Sequence, residues 1–171
     1  SVLSGFYSEG KTIIDWVYPI AERRKYQAVN IGKLDNMGYS ADVTLNMDEL
    51  VTGSFITRIK AGYAFIHQKH ETDREIFGSL YALEYLRHKA TFQLDHRIWS
   101  RLSASWAVRW QQRMNNYSPY TKVDVKLMWT APSYSLYVKA DNITCHRYYD
   151  LGAVRQPGLW IMAGGSVRIG L

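Results

Sequence analysis

The stretch KVDVKLMWTAPSYSLYVKAD, residues 122–141, alternates apolar and polar residues, turns at Ala-Pro-Ser and then alternates again. Every second residue from Val123 to Trp129 is apolar, and the same holds from Tyr134 to Ala140. Successive side chains of a strand point to opposite faces, so the stretch predicts a β-hairpin with one apolar and one polar face. A helix is excluded because it would place Val123 and Val125 on different sides of its cylinder.

The same two-residue period recurs along the chain and predicts an all-β protein of about eight antiparallel strands. Many of these strands exceed the roughly 5–6 residues of a strand in a soluble sheet. They reach the roughly 9–11 residues that a tilted strand needs to cross a bilayer. The predicted strands are Val2–Val17, Lys25–Met47, Ser54–Lys69, Phe77–His96, Ser100–Arg113, Tyr120–Ala131, Tyr134–Ile143 and Gly158–Leu171.

The composition agrees with a single β unit. The chain has 171 residues, with 13 Tyr and 6 Trp, which are residue types that favour strands over helices. No apolar run approaches the roughly 18 residues of a transmembrane helix. The formal charge of +6 is compatible with anionic partners, and a single cysteine, Cys145, excludes an internal disulfide.

The predicted connections alternate between short and long. The short ones are Met47–Gly53, Arg97–Trp99 and Pro132–Ser133. The longer ones are Tyr18–Arg24, His70–Ile76, Met114–Pro119 and Thr144–Pro157. This alternation is typical of an outer-membrane barrel, which has short periplasmic turns and longer outside loops.

Alternation alone leaves the environment of the apolar face open. In a soluble barrel or sandwich that face points inward, whereas in an outer-membrane barrel it faces lipid and the polar face lines the lumen. Three features favour the membrane: aromatic residues at strand ends, long cations on the polar face, and a last strand that alternates up to Leu171. The aromatic residues are Trp16, Tyr18, Trp99, Trp110, Tyr120, Trp129, Tyr134 and Trp160. The cations are Arg101, Arg109, Arg113, Lys122, Lys126, Lys139 and Arg168.

Two segments resemble TonB-dependent outer-membrane receptors. In DNITCHRYYDLGAVRQPGLWIMAGGSVRIGL, residues 141–171, the pieces Asn142–Ile143, Tyr148–Tyr149 and Gln156–Gly158 are similar to the closing hairpin of that family. IIDWV (13–17) followed by AVNIGKLDNMGYSADV (28–43) is similar to a strand pair of the vitamin B12 receptor branch and its siderophore-receptor relatives. Thr144, Cys145 and Leu171 depart from the family's usual residues.

The resemblance implies that residues 1–171 are the C-terminal portion of a barrel of about 22 strands and contain no plug domain. It implies a receptor in the bacterial outer membrane that takes up a metal chelate or a vitamin, namely cobalamin, a siderophore or haem. The implied partners are outer-membrane lipid, the remaining barrel strands and plug domain, TonB acting through the N-terminal part of the receptor, and the ligand.

Ligand contacts within this segment are expected from two long loops. The candidates are Arg113, Asn115 and Tyr117 in one loop and Arg147, Tyr148, Tyr149 and Arg155 in the other. The inward-facing cations are expected to contact the plug rather than the ligand.

We expect no enzymatic activity, catalytic residue, metal site or cofactor. His67 and His70 would point to opposite faces of a strand and could not ligate one metal together. Nucleic acid is an unlikely partner class, because the cations are spread over many strands rather than clustered. Two alternatives stay open. One is a stand-alone eight-stranded outer-membrane barrel with a structural or adhesive role, and the other is a soluble β-barrel that binds a small apolar ligand.

Overall fold

A computed structural model describes residues 1–19, 27–71, 76–79, 86–114, 118–150 and 154–169. The long strands in these ranges are β1 (Val2–Pro19), β2 (Gln27–Asn46), β3 (Ile56–Glu71), β5 (Leu86–Arg97), β6 (Leu102–Arg113), β7 (Tyr120–Thr130), β8 (Tyr134–Asp141) and β11 (Trp160–Val167). The shorter elements are helix α1 (Met47–Leu50) and strands β4 (Ile76–Ser79), β9 (Tyr149–Asp150) and β10 (Val154–Arg155). Within these ranges, no helix combines the length and the apolar character needed to span a membrane.

The long strands form one antiparallel sheet in which strands that follow each other in sequence lie side by side. Their spatial order is β11-β8-β7-β6-β5-β3-β2-β1, with β4 next to β1 at the far edge. Short connections join β2 to β3, β5 to β6 and β7 to β8, all at the same end of the sheet. The structure therefore confirms the predicted all-β, up-and-down antiparallel architecture.

The predicted strand Phe77–His96 is wrong in its first part. Ile76–Ser79 form β4, which pairs with Val17–Pro19 at the end of β1, and β5 begins only at Leu86. Residues 80–85 lie outside the described ranges. A period of two identifies extended chain but does not specify which neighbour it pairs with, so the change of partner could not be derived from alternation.

The sheet has an apolar face and a polar face, and it curves around the polar one. Phe92, Val108 and Val123 are directly opposite one another on one face of β5, β6 and β7. The next rung, Thr91, Arg109 and Lys122, lies on the other face and lines an open concavity of about 620 Å³. We call the convex apolar side the outer face and the concave polar side the inner face.

The outer face is exposed rather than packed against a second layer. Among the described residues, the buried apolar side chains are Val17, Val29, Leu34, Ala104, Tyr120 and Tyr148. Large outer-face side chains remain open, with Phe92 at 44%, Val138 at 50% and Ile161 at 64% exposure. A water-soluble sheet would bury such a face against another layer. The concave side is lined by charged residues, so the described part of the sheet does not form the apolar interior that the soluble-barrel alternative requires.

Aromatic side chains form a row across the outer face of β2, β3, β5 and β6. The row consists of Tyr39, Tyr63, Phe65, His88 and Trp110, and neighbouring ring centroids lie between 4.9 and 6.3 Å apart. The Tyr63 hydroxyl is 2.7 Å from Nδ1 of His88. Amphipathic rings of this kind prefer a membrane–water boundary. We call this set the aromatic row.

Two residues of the predicted aromatic set lie on the inner face instead. Tyr120 is opposite Gln111, and Trp160 is opposite Asp141, so both occupy inner-face rungs. Tyr120 is also buried, with 6% exposure. The alternation that places Lys122 on the inner face also places Tyr120 there. Location at the end of a strand does not by itself tell on which face a residue lies.

Both edges of the sheet are open over most of their length in the described part of the chain. β1 and β11 lie at opposite sides of the strand order and do not pair with each other, and β4 covers only Val17–Pro19 of β1. The described strands thus do not close into an eight-stranded barrel. Unpaired backbone groups at such edges cannot be left in lipid.

Candidate functional site

The inner face carries a dense set of charged side chains, which the two-residue period brings onto one surface. The strands β2, β3, β5, β6, β7 and β8 each contribute at least one charge to the concavity, because alternate residues of a strand share a face. The charged residues that line the concavity are Asp42, Lys60, Lys89, Arg109, Lys122, Asp124, Lys139 and Asp141.

Two ion pairs form between positions i and i+2 of the same strand. Lys122 Nζ lies 3.3 Å from Asp124 Oδ2, and Lys139 Nζ lies 2.9 Å from Asp141 Oδ1. Residues two apart on a strand share a face, which explains the geometry. Asp124 also accepts a hydrogen bond of 2.7 Å from the backbone N–H of Asn142 through its Oδ1.

The register also sets like charges against each other. Arg109 lies directly opposite Lys122, and Lys126 lies directly opposite Lys139. Like charges in such positions destabilise a sheet. The Lys126 ammonium is 5.0 Å from the centroid of the Tyr137 ring, a cation–π contact that offsets part of this cost.

Of the cations that line the concavity, three have no carboxylate within ion-pair distance in the described ranges: Lys60, Lys89 and Arg109. They lie on β3, β5 and β6, next to each other in the sheet. The residues that line the concavity therefore carry more positive than negative charge.

At the short-turn end of the inner face, one carboxylate is fully occupied. Asp95 Oδ2 accepts hydrogen bonds from Arg58 at 2.7 Å and 2.8 Å, and both Asp95 oxygens accept from Gln93 Nε2. Close by, Arg97 Nη2 donates to Asp48 and to the carbonyl of Ser54, each at 2.8 Å. These contacts join the β2–β3 and β5–β6 turns, so this end of the sheet is braced.

The long connection between β8 and β11 is organised by Asn142. This residue is 1% exposed and has φ of +55°, a region that Asn tolerates better than most residues. Its Nδ2 donates to the carbonyls of His146 at 2.9 Å and Pro157 at 3.4 Å. Its Oδ1 accepts from Thr144 Oγ1 and from the backbone N–H of His146. One side chain thus ties both ends of the loop together.

The same loop is folded against the inner face. The Tyr148 ring stacks on the ring of Tyr120 with centroids 4.4 Å apart, and the His146 ring is 6.2 Å from that of Tyr120. Tyr120 belongs to β7 and points inward. The backbone N–H of Ile143 adds a hydrogen bond to the carbonyl of Val123. The loop therefore covers the long-loop end of the concavity.

The sequence-predicted loop residues differ in exposure and in position. Tyr148 is 8% exposed and stacked on Tyr120, whereas Arg147 and Arg155 are exposed. Tyr149 is opposite Arg155 in the β9–β10 hairpin, and Arg113 is half-buried at the end of β6 on the inner face. Asn115 and Tyr117 lie outside the described residues.

Sequence reasoning missed Lys60, Lys89 and Asn142. The two lysines occupy polar positions of alternating strands, so a consistent count of every inner position would have found them. Asn142 was noted only as part of the resemblance to the receptor family, and its role in holding the loop could not be predicted because its partners lie up to 15 residues away.

A scan against protein-family models and a search of curated proteins returned no match. The fold is similar to two solved structures of the ferric enterobactin receptor from Pseudomonas aeruginosa, both single-substitution variants and one of them in complex with enterobactin. The TM-scores are 0.65 and 0.61, at 16% and 15% sequence identity. In each case the match covers 96% of this chain and 28% of the receptor.

The chain thus spans little more than a quarter of the receptors that it matches. It has the fold of a segment of a TonB-dependent receptor barrel. Both neighbours are receptors.

We expect Asn142→Ala to release the β8–β11 loop without unfolding the sheet. The substitution leaves backbone groups of the loop without partners, and each lost buried hydrogen bond costs about 1–3 kcal/mol. Cleavage of the loop by a protease under native conditions should accelerate roughly 5- to 150-fold, since it follows the population of the open loop.

Thr144→Ala is the matched control, because it removes one hydrogen bond from an exposed side chain of the same loop and should change the rate less than about fivefold. Equal cleavage rates for Asn142→Ala and the unaltered protein would show that Asn142 does not hold the loop.

Proposed function

We propose that this chain is part of the wall of a TonB-dependent receptor in a Gram-negative outer membrane, and that the receptor takes up a metal chelate. One observation carries the proposal. The sheet is apolar on its convex face and polar on its concave face, and it follows a receptor barrel along 96% of its own length. A barrel wall between lipid and an aqueous or protein-filled lumen needs this inverted arrangement.

The open edges support a larger barrel. In lipid, each backbone N–H and C=O needs a partner, and the outward edges of β1 and β11 supply none to each other. The remaining strands of the receptor would pair with both edges. These edges favour a segment of a larger wall over a barrel formed by residues 1–171 alone, and we propose, from the resemblance of residues 141–171 to a closing hairpin, that the segment is the C-terminal part.

The inner face supports a folded partner of opposite charge. Lys60, Lys89 and Arg109 point into the concavity without a carboxylate. Cations also face each other across strands, Arg109 opposite Lys122 and Lys126 opposite Lys139. An acidic surface on a plug domain would remove this repulsion. TonB would act on that plug from the periplasmic side.

An iron chelate is the ligand class that the neighbours favour. Both are receptors for ferric enterobactin, and a cationic inner face suits an anionic chelate. Nothing in the described residues favours cobalamin or haem over this class. Arg147 and Arg155, the exposed arginines of the β8–β11 loop, are the best placed to make first contact with such a ligand.

Uptake by the complete receptor in a host without other iron-chelate receptors tests this function. We expect radiolabelled iron to accumulate when it is supplied as ferric enterobactin, and only when the host carries TonB. The double substitution Arg147→Ala/Arg155→Ala should weaken the apparent affinity about 5- to 30-fold, or about 1–2 kcal/mol.

Lys11→Ala/Lys69→Ala, which removes two exposed cations from the outer face, is the matched control and should leave uptake unchanged. Accumulation that is independent of TonB, or accumulation of cobalamin or haem in place of the chelate, would contradict the proposal.

The plug contact generates a separate prediction. Arg109→Gln/Lys126→Gln should loosen the plug, seen as faster amide hydrogen exchange in the plug of the complete receptor, while ligand affinity stays the same. Lys11→Gln/Lys69→Gln removes two lysines from the outer face and serves as the control. Unchanged exchange in the plug after the inner-face substitution would show that these cations do not bind it.

A further inference from the structure

Strands β1, β2 and β3 extend past the aromatic row towards the long-loop end, and their outer-face residues become charged there. The register from Lys33 to Asn46 shows no shift against either neighbour, so Lys33 and Asp35 share the face of Tyr39. Two rungs beyond Tyr39, Glu9, Asp35 and Lys69 lie opposite one another. The next rung on the same face is formed by Lys11, Lys33 and the backbone position of Glu71.

The height of this group places it at the edge of a bilayer. Four residues along a strand span roughly 13 Å, or about 10 Å measured across a membrane when the strand is tilted by about 40°. If the aromatic row marks the boundary of the hydrocarbon, the first charged rung lies about 2–5 Å beyond the headgroup layer, which is about 5–8 Å thick. Lysine side chains are long enough to reach back into that layer.

Ion pairs hold part of this group in place. Lys33 Nζ is 3.0 Å from Asp35 Oδ2 and 3.7 Å from Glu9 Oε1, and Lys11 Nζ is 3.4 Å from the same Glu9 oxygen. The Lys11 side chain is 76% exposed, so its pair contributes little to stability and leaves the ammonium available. Lys69 is exposed and has no carboxylate within ion-pair distance in the described part of the chain.

We propose that the outer-face group Glu9, Lys11, Lys33, Asp35 and Lys69 binds the phosphorylated headgroup of an outer-leaflet lipid. The group is continuous with the apolar outer face below it, so a lipid whose chains lie on that face would present its headgroup here. Lys11 and Lys69 bind the phosphates, and the two carboxylates position Lys33 between them. Tyr7, one rung nearer the membrane, offers a ring to the sugar or glycerol of the headgroup.

This inference rests on the membrane placement in the proposed function but not on transport. Binding is measured on the complete receptor in non-ionic detergent, with lipid A, a bisphosphorylated disaccharide lipid, as the probe. Each lysine near an anionic lipid surface changes the affinity about fivefold. Lys11→Gln/Lys69→Gln should therefore weaken binding roughly 25-fold, and Lys11→Arg/Lys69→Arg should keep most of the affinity because it preserves both charges.

The matched control is Lys60→Gln/Lys89→Gln, which removes the same number of charges from the inner face and should change lipid binding less than twofold. If Lys11→Gln/Lys69→Gln weakens lipid binding no more than this control does, the inference is overturned. So does full competition by millimolar inorganic phosphate, which would reveal a general anion site instead of a lipid site. A protein recovered in the soluble fraction would refute the membrane placement itself, whereas loss of lipid specificity in a membrane-bound receptor refutes only this inference.

Discussion

The ladder of hydrogen bonds between neighbouring antiparallel strands is the interaction on which the rest of the structure depends. Between β2 and β3 the register runs from Lys33 opposite Glu71 to Asn46 opposite Arg58 without a shift. Because side chains alternate, a slip of one residue would exchange the two faces of a strand. Across the middle of the sheet this register keeps the apolar residues on the convex side and the charges on the concave side. The shifts between Ile56 and Arg58 and between Leu86 and His88 lie at strand ends.

The fixed assignment of residues to the two faces brings like charges together on the inner face, and it also allows the loop at the long-loop end to pack there. It sets Arg109 against Lys122 and Lys126 against Lys139, and these repulsions are relieved only in part by i, i+2 carboxylates and the Tyr137 ring. The same parity turns Tyr120 inward, where it provides the surface on which Tyr148 stacks. The cationic concave face and the inward-folded loop therefore follow from one constraint, and both suit a wall that surrounds an anionic or acidic occupant.

Alternation in the sequence was sufficient to predict the fold class. In an up-and-down sheet the side chains repeat with a period of two and each strand pairs with the next one along the chain, so little else has to be known. It predicted β6 and β7 closely and assigned Lys122 and Lys139 to the polar face. It failed for Ile76–Ser79, whose pairing with β1 depends on contacts far apart in the chain. The loop candidates Arg147 and Tyr148 differ in exposure for a reason that alternation does not contain, namely the stacking of Tyr148 on Tyr120 and the hydrogen bonds of Asn142.

The orientation of the two faces relative to lipid tests the account most directly. Single cysteines placed in turn at residues 103–110 of β6, in a Cys145→Ser background, would carry an environment-sensitive fluorophore in bilayers that contain brominated lipid. The account predicts strong quenching at 106, 108 and 110 and weak quenching at 103, 105, 107 and 109, whereas Ala104 shares the outer face but is only 2% exposed and should be quenched less than 106. Quenching that is uniform along β6, or strongest at the odd-numbered positions, would contradict it.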